Sequence, residues 1–233
     1  MKLQLFFISF IFSIISIPDV TSQDTIYLTN PSFEDKPRKG GQFVIPIKGW
    51  YDCGLNLFPD ESPPDIHPTP DYAWDVDKKA KDGSTYLGLV TRYSATYESL
   101  SQPLKQIPEP GKCYVLSVYL SVYEIYNSPT RRSTQIRNSN NRIPGHTSST
   151  ENFANPVELR IWAGDEFCKK EQFIGRSGAI GNHDWRYYKF EFSPEKPFSY
   201  ITIEAYFIPG TTEAYNGHIL VDGFSPIIQV DCK

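Results

Sequence analysis

The sequence predicts an all-β fold, on three observations. The 233 residues include 15 Tyr, 15 Phe and 19 Pro but a single Met, a mixture that favours strands and irregular connections over helices. Several segments alternate apolar and polar residues with period two. No stretch sustains a helical apolar period over three turns.

The opening residues stand apart from the fold. Lys2 supplies a short positive start, and Leu3 to Ile17 is an apolar run of signal-peptide length, too short for a membrane span. Val20 and Ser22 permit cleavage near Ser22 or Gln23, so residues 1–22 are expected to be a signal peptide. No cysteine at that boundary offers lipid attachment. The remaining chain, about 210 residues from Gln23 to Lys233, is long enough to bury one core. It is expected to be secreted or periplasmic, with no transmembrane segment.

The strands follow in order. TIYLTNPSFED (Thr25 to Asp35) is an apolar, β-branched run with Glu34 at its polar margin. GWYDCG (Gly49 to Gly54), DGSTYLGL (Asp82 to Leu89) and YESLSQPL (Tyr97 to Leu104) come next. In GKCYVLSVYLS, extended to Val122, the residues Tyr114, Leu116, Val118, Leu120 and Val122 share the face that must line the core. VELRIWAGDEFC (Val157 to Cys168) follows, and then DWRYYKFEF, with Tyr188, Phe190 and Phe192 on one side. SYITIEAYF places Ile201, Ile203, Ala205 and Phe207 together. GHILVDGFSPIIQV (Gly217 to Val230) closes the fold and carries Asp222.

Two segments break this pattern. Phe58 to Pro70 (FPDESPPDIHPTP) is so rich in proline that ladder hydrogen bonds are not expected. Asn127 to Asn155 is rich in Ser, Thr and Asn, includes Arg131, Arg132, Arg137 and Arg142, and has little to bury. It is expected to be a solvated, mobile insertion at about 127–155.

Charge and cysteine content narrow the function. Twenty-three basic against 27 acidic side chains leave a net charge of −4, which offers no electrostatic footprint for nucleic acid. Cys53, Cys113, Cys168 and Cys232 are an even set in a chain expected to be exported, so disulfides are expected; four cysteines allow three connectivities. No CxxC or close His/Cys spacing favours metal instead.

The NPSFED opening, the ILVDGFSPI closing strand and the order of the segments between them resemble the galactose-binding-like β-jelly-roll domains. These include carbohydrate-binding modules and related domains of secreted Bacteroidota-type proteins. The resemblance covers nearly all of the chain after the leader and implies one jelly-roll sandwich over residues 23–233. It implies a non-catalytic carbohydrate-binding-like module, with a glycan or a cell-envelope component as partner. A structural or adhesion domain with a protein or peptidoglycan partner is the alternative, and a small extracellular hydrolase a third reading. In such domains the strand opened by Cys113 runs beside the last strand, closed by Cys232; this pairs those two and leaves Cys53 with Cys168. The resemblance further implies a structural calcium near the first and last strands, with Glu34 and Asp222 as metal ligands. Many related domains carry two consecutive acids in the last strand, whereas here Gly223 follows Asp222.

Catalytic readings are weaker. GNHD (Gly181 to Asp184), with Asp65 and His67 of PDIHP upstream, matches part of a two-metal phosphoesterase set. The matching G-D-x-x-D block ends here in Cys168, and the surroundings are strands, so the block reads as a turn motif. No G-x-S-x-G elbow is present. No catalytic residue is assigned.

For a sugar, aromatic side chains on loops are the useful ones. Trp74 lies in a polar loop beside Tyr72 and Asp75, and Tyr93 and Tyr97, with Arg92 and Glu98, flank the turn TRYSATYES. An aromatic platform edged by carboxylates and an arginine suits stacking on a sugar face, with hydrogen bonds to its hydroxyls. These seven residues are the expected ligand-binding cluster.

Overall fold

The computed structural model describes residues 25–232 except 42, 43, 45, 55–60, 62, 139 and 140, with side chains outside 131–149. The expected signal peptide, residues 1–22, lies outside the described residues. In chain order the strands are β1 (Thr25–Ile26), β2 (Tyr51–Asp52), β3 (Asp65–His67), β4 (Tyr86–Thr91) and β5 (Ser99–Pro103). β6 (Cys113–Ser121) precedes a ribbon of β7 (Asn127–Asn138) and β8 (Asn141–Asn152). Then come β9 (Glu158–Gly164), β10 (Gln172–Arg176), β11 (Arg186–Phe192) and β12 (Tyr200–Tyr206). β13 (Gly217–Asp222) and β14 (Ile227–Val230) end the chain. Among the described residues no helix is long and apolar enough to cross a membrane.

These strands form the expected all-β sandwich of jelly-roll type. One sheet has seven strands, in the order β1-β14-β6-β13-β4-β3, with β11 paired to β6; the other has five, in the order β10-β9-β12-β5-β2. β6 organises the first sheet. β11 runs along it from Arg186↔Leu120 to Phe192↔Tyr114, while β13 and β14 bond to it near its end and its start. The alternation in β6 orients as its pattern requires: Tyr114, Leu116, Val118, Leu120 and Val122 enter the core between the sheets. From the opposite sheet Leu159, Ile161, Ala163, Ile201, Ile203 and Ala205 meet them. Phe207 leaves the alternation, because β12 stops at Tyr206; its ring stands edge-on to Tyr215 instead.

Both disulfides join the expected partners, Cys53 with Cys168 and Cys113 with Cys232. The second follows from register, since Val230 lies opposite Cys113 and brings Cys232 to the start of β6. Each bridge closes a loop of more than a hundred residues, which in the chain-entropy account is worth about 4–5 kcal/mol.

Two expectations need correction. The proline-rich segment does form a strand: Asp65, Ile66 and His67 pair with Gly88, Leu87 and Tyr86. Pro64 and Pro68 flank this strand at the sheet edge, so neither removes a ladder donor. The segment after Asn127 is likewise not irregular, because β7 and β8 pair continuously from Asn127↔Asn152 to Asn138↔Asn141. Polar, Thr-rich strands can hold such a ladder without an apolar stripe, and for that reason periodicity missed it.

Candidate functional site

The seven residues expected to form one ligand cluster are divided among three places. Trp74 sits in a short 3-10 turn (Ala73–Asp75) and packs on a second apolar cluster of Val76, Tyr86, Val90, Tyr126, Phe153 and Leu220. Its indole Nε1 donates to Asp65 Oδ2 at 2.9 Å, and the buried Tyr126 hydroxyl donates to the same oxygen. Trp74 therefore covers the outer face of β3, β4 and β13. Asp75 accepts a hydrogen bond from Asn127 Nδ2 at the base of the ribbon, and Tyr72 is exposed beside it.

Arg92 and Glu98 form a buried ion pair, and Glu98 Oε2 also accepts from the Val90 amide at 3.0 Å. Burial pushes the Glu98 carboxyl up to about 8, against the pull of Arg92. Both side chains are sealed from solvent, so this pair fastens the β4–β5 turn and is withheld from any ligand. Tyr93 is exposed at the tip of that turn. Tyr97 alone reaches a different surface, the outer face of the five-stranded sheet, where its ring meets Tyr206 edge-on at 4.9 Å.

That outer face is an aromatic surface which the sequence reading did not pick out. Trp162 on β9 lies opposite Phe173 on β10, with ring centroids 4.8 Å apart. At the other side Tyr51 on β2 meets Phe167 at 5.3 Å, and Phe167 approaches Tyr200 of β12. The Cys53–Cys168 bridge pins the turn that carries Phe167 against β5, where the Cys168 amide donates to Ser101 Oγ. Tyr51, Phe167 and Phe173 are 51%, 43% and 49% exposed. From β2 to β10 the surface crosses four strand spacings, about 19 Å in all.

Buried carboxylates beneath the rings fix their polar neighbours. Glu204 accepts Trp162 Nε1 at 2.8 Å and pairs with Lys170, whose ammonium also lies 4.7 Å above the Tyr97 ring. Glu158 holds Arg160 through Nε at 2.6 Å, and the guanidinium stacks on Tyr206 at 3.7 Å. Two hollows flank the Tyr97–Tyr206 pair. One, of 230 Å³, is lined by Tyr97, Ser99, Lys170 and the disulfide; the other, of 390 Å³, by Arg160, Tyr206 and the loop 207–214. The alternation Glu158, Arg160, Trp162 along β9 was the available sequence signal. It escaped notice because a half-buried Trp on a strand reads equally well as core.

Glu34 and Asp222, the expected metal ligands, converge on one loop. Glu34 Oε1 accepts the amides of Ser84 and Thr85 at 2.7 and 3.0 Å. Asp222 Oδ2 accepts those of Lys81 and Asp82 at 2.7 and 3.0 Å. Gly83 between them has φ +66°, and a Cβ there would strike the Glu34 carboxylate. Asp222 Oδ1 is buried with no well-formed hydrogen bond, and burial, with help from Asp82, pushes this carboxyl up to about 7. Among the described residues no three His, Cys, Asp or Glu side chains gather as a metal group.

The GNHD block is a stitched turn. Asn182 Nδ2 donates to the carbonyls of Leu120 and Asp184, Asn182 Oδ1 accepts the Tyr188 hydroxyl, and Ser121 Oγ donates to the His183 carbonyl. Asp65 and His67 are buried on β3, with Asp65 bonded to Trp74, Tyr126 and the Gly40 amide.

No protein-family model matches the chain, and no curated protein matches it in sequence. Among solved structures it is similar to the CBM22-1 xylan-binding domain from Paenibacillus barcinonensis Xyn10C. The identity is 14% and the TM-score 0.47, covering 91% of this chain and 98% of that one. A CBM4 structure aligns at 12% identity and a TM-score of 0.38, over 87% of this chain and 100% of that one. The CBM22-1–GH10 modules of Clostridium thermocellum endo-1,4-β-D-xylanase 10B, complexed with xylohexaose, align at 11% and 0.41, over 79% and 27%. The likeness is one of architecture and assigns no residue of this chain a role.

Proposed function

We propose that the protein is a non-catalytic glycan-binding module whose ligand lies across the outer face of the five-stranded sheet. One observation carries this reading: Tyr51, Phe167 and Phe173 stand roughly half exposed on one rigid face, beside polar groups held in place from below. Exposed rings on a fixed sheet cost little entropy to use and match the apolar faces of sugar rings. The ordered Lys170 and Arg160 groups give hydroxyls defined partners, and Trp162, its N–H held by Glu204, adds ring surface. The two disulfides support an extracellular or periplasmic setting. A glycan array with the purified protein, repeated with Phe173→Ala and Tyr51→Ala, tests the proposal. The expected result is a defined set of bound glycans, each weakened about tenfold in either variant, roughly 1.4 kcal/mol. Failure to bind any glycan while the fold is intact would turn attention to a protein or peptidoglycan partner.

We also propose a structural calcium at the loop 81–85, supported by the partnerless Asp222 Oδ1. A cation there would use that oxygen and Glu34, together with backbone carbonyls, because the side chains alone supply too few oxygens. The expected result is a chelator-induced fall in Tm that disappears in Asp222→Asn. Identical melting with calcium and with chelator would remove the metal and leave the two carboxylates as loop anchors.

A further inference from the structure

We infer that the glycan is acidic, and that Arg160 and Arg176 take its charged group, a uronate carboxylate or a sulfate ester. This inference rests on the glycan-binding reading. In the β9–β10 ladder Arg176 lies directly opposite Arg160, two pairs along from Trp162 and Phe173, past a β-bulge and the pair Gly175↔Ile161, and so on the same outer face. Directly opposed like charges on adjacent strands repel, a cost the fold carries at this pair.

The two guanidinium groups are held differently. Arg160 is fixed by its stacking on Tyr206 and by the bond from Nε to Glu158, so both of its terminal NH2 groups remain as donors. They border the 390 Å³ groove beneath the loop 207–214. Arg176 is exposed, and none of the described carboxylates pairs with it. Across the face the buried carboxylates Glu158 and Glu204 are matched by Arg160 and Lys170, which leaves Arg176 as local surplus positive charge. Glu213, on the exposed lip of the groove, is the nearest counterweight that the lining offers. A chain of net charge −4 thus presents a cationic spot beside its aromatic surface. A sugar stacked on Phe173 and Trp162 would carry a ring substituent toward the two arginines. A planar carboxylate fits the fork of a fixed guanidinium, and a sulfate offers three oxygens to the pair.

Affinity measurements on matched polymers test this. Polygalacturonate against its methyl ester isolates the carboxylate, and dextran sulfate against dextran isolates the sulfate. The expected result is that at least one charged polymer binds roughly tenfold or more tightly than its uncharged partner, with a preference that salt reduces. In Arg176→Gln, an exposed site whose loss leaves the core untouched, that ratio should fall toward one. Arg160→Gln should abolish it, and Arg176→Lys should restore part of it. Equal affinity for both members of both pairs, or a preference that persists in Arg176→Gln, would overturn the inference and leave the glycan reading standing. No binding to any of the four polymers would also overturn the inference, and the glycan array then decides the glycan reading by itself.

Discussion

Over β3, β4 and β13 the outer face of the seven-stranded sheet is roofed by chain from distant parts of the sequence. The outer face of the five-stranded sheet is covered mostly by the side chains of its own strands. On the roofed face every residue of β4 and β13 is buried on both sides. The roof consists of Trp74, Tyr126 and Phe153, bonded to Asp65 and His218 below them. On the other face β9 is partly open at Arg160 and Trp162 and β12 at its two ends, Tyr200 and Tyr206, while Glu158, Thr202 and Glu204 are buried beneath their neighbours; the rings of Tyr51, Phe167 and Phe173 reach solvent. The difference separates two uses of aromatic side chains. Rings under the roof are held by neighbours and stabilise the fold; rings on the unroofed face contribute little to stability and are available to a ligand.

This contrast breaks if the roof proves dispensable. Phe153→Ala empties a fully buried site and should cost about 3–5 kcal/mol. In a chain of this size that lowers Tm by roughly 10 °C, as differential scanning calorimetry would record. A variant melting within a degree or two of the parent would mean that the ribbon base does not carry the face.

Acid should attack the same face. His218 donates from Nδ1 to the Phe153 carbonyl at 2.7 Å and accepts the Tyr123 amide at Nε2, so its ring must stay neutral. Burial draws it down to about 4 from its ordinary 6.5. Its contribution is therefore complete above pH 6.5 and is lost as the pH falls through 4, a loss of roughly 3 kcal/mol. Comparing the parent with His218→Gln from pH 7.5 to 4 isolates the histidine. The variant is expected to show a flatter decline, and parallel curves would remove His218 from the account.

Trp74→Ala sharpens the comparison, because sequence reasoning placed this side chain in the binding cluster. Loss of a partly buried indole and its bond to Asp65 should cost about 2–3 kcal/mol. Glycan affinity should stay within twofold on titration calorimetry, roughly 0.4 kcal/mol. A large loss of affinity with unchanged melting would restore the earlier placement. The smallest effect on melting is expected at the unroofed face: Phe173→Ala should shift stability by about 0.5 kcal/mol or less while weakening glycan binding.

Much of the fold was legible in the chain. Alternation in β6, β11 and β12 assigned the inward residues, and the resemblance carried by the two ends of the chain supplied the disulfide partners that the structure joins. Polar alternation hid the β7–β8 ribbon, and flanking prolines hid β3. The site was less legible. Arg92 and Glu98 are close in sequence because they close a turn, and that closeness buried them as a pair. Tyr51, Phe167 and Phe173 come from three separate segments, and no local pattern links them.

For strands that alternate apolar and polar residues, such as β6, β11 and β12, the sequence by itself determined where the strand lies and which side is apolar, because a pleated backbone alternates its side chains regardless of context. It did not determine which of the two outward faces would be roofed. Tyr86, Val90 and Leu220 point outward from their strands just as Trp162 and Tyr206 do. Only the tertiary path of the turn at Trp74 and of the ribbon base at Tyr126 and Phe153 lays chain across the first set and leaves the second open. Covering a face takes contacts between residues far apart in the chain, and a period of two carries no information about those.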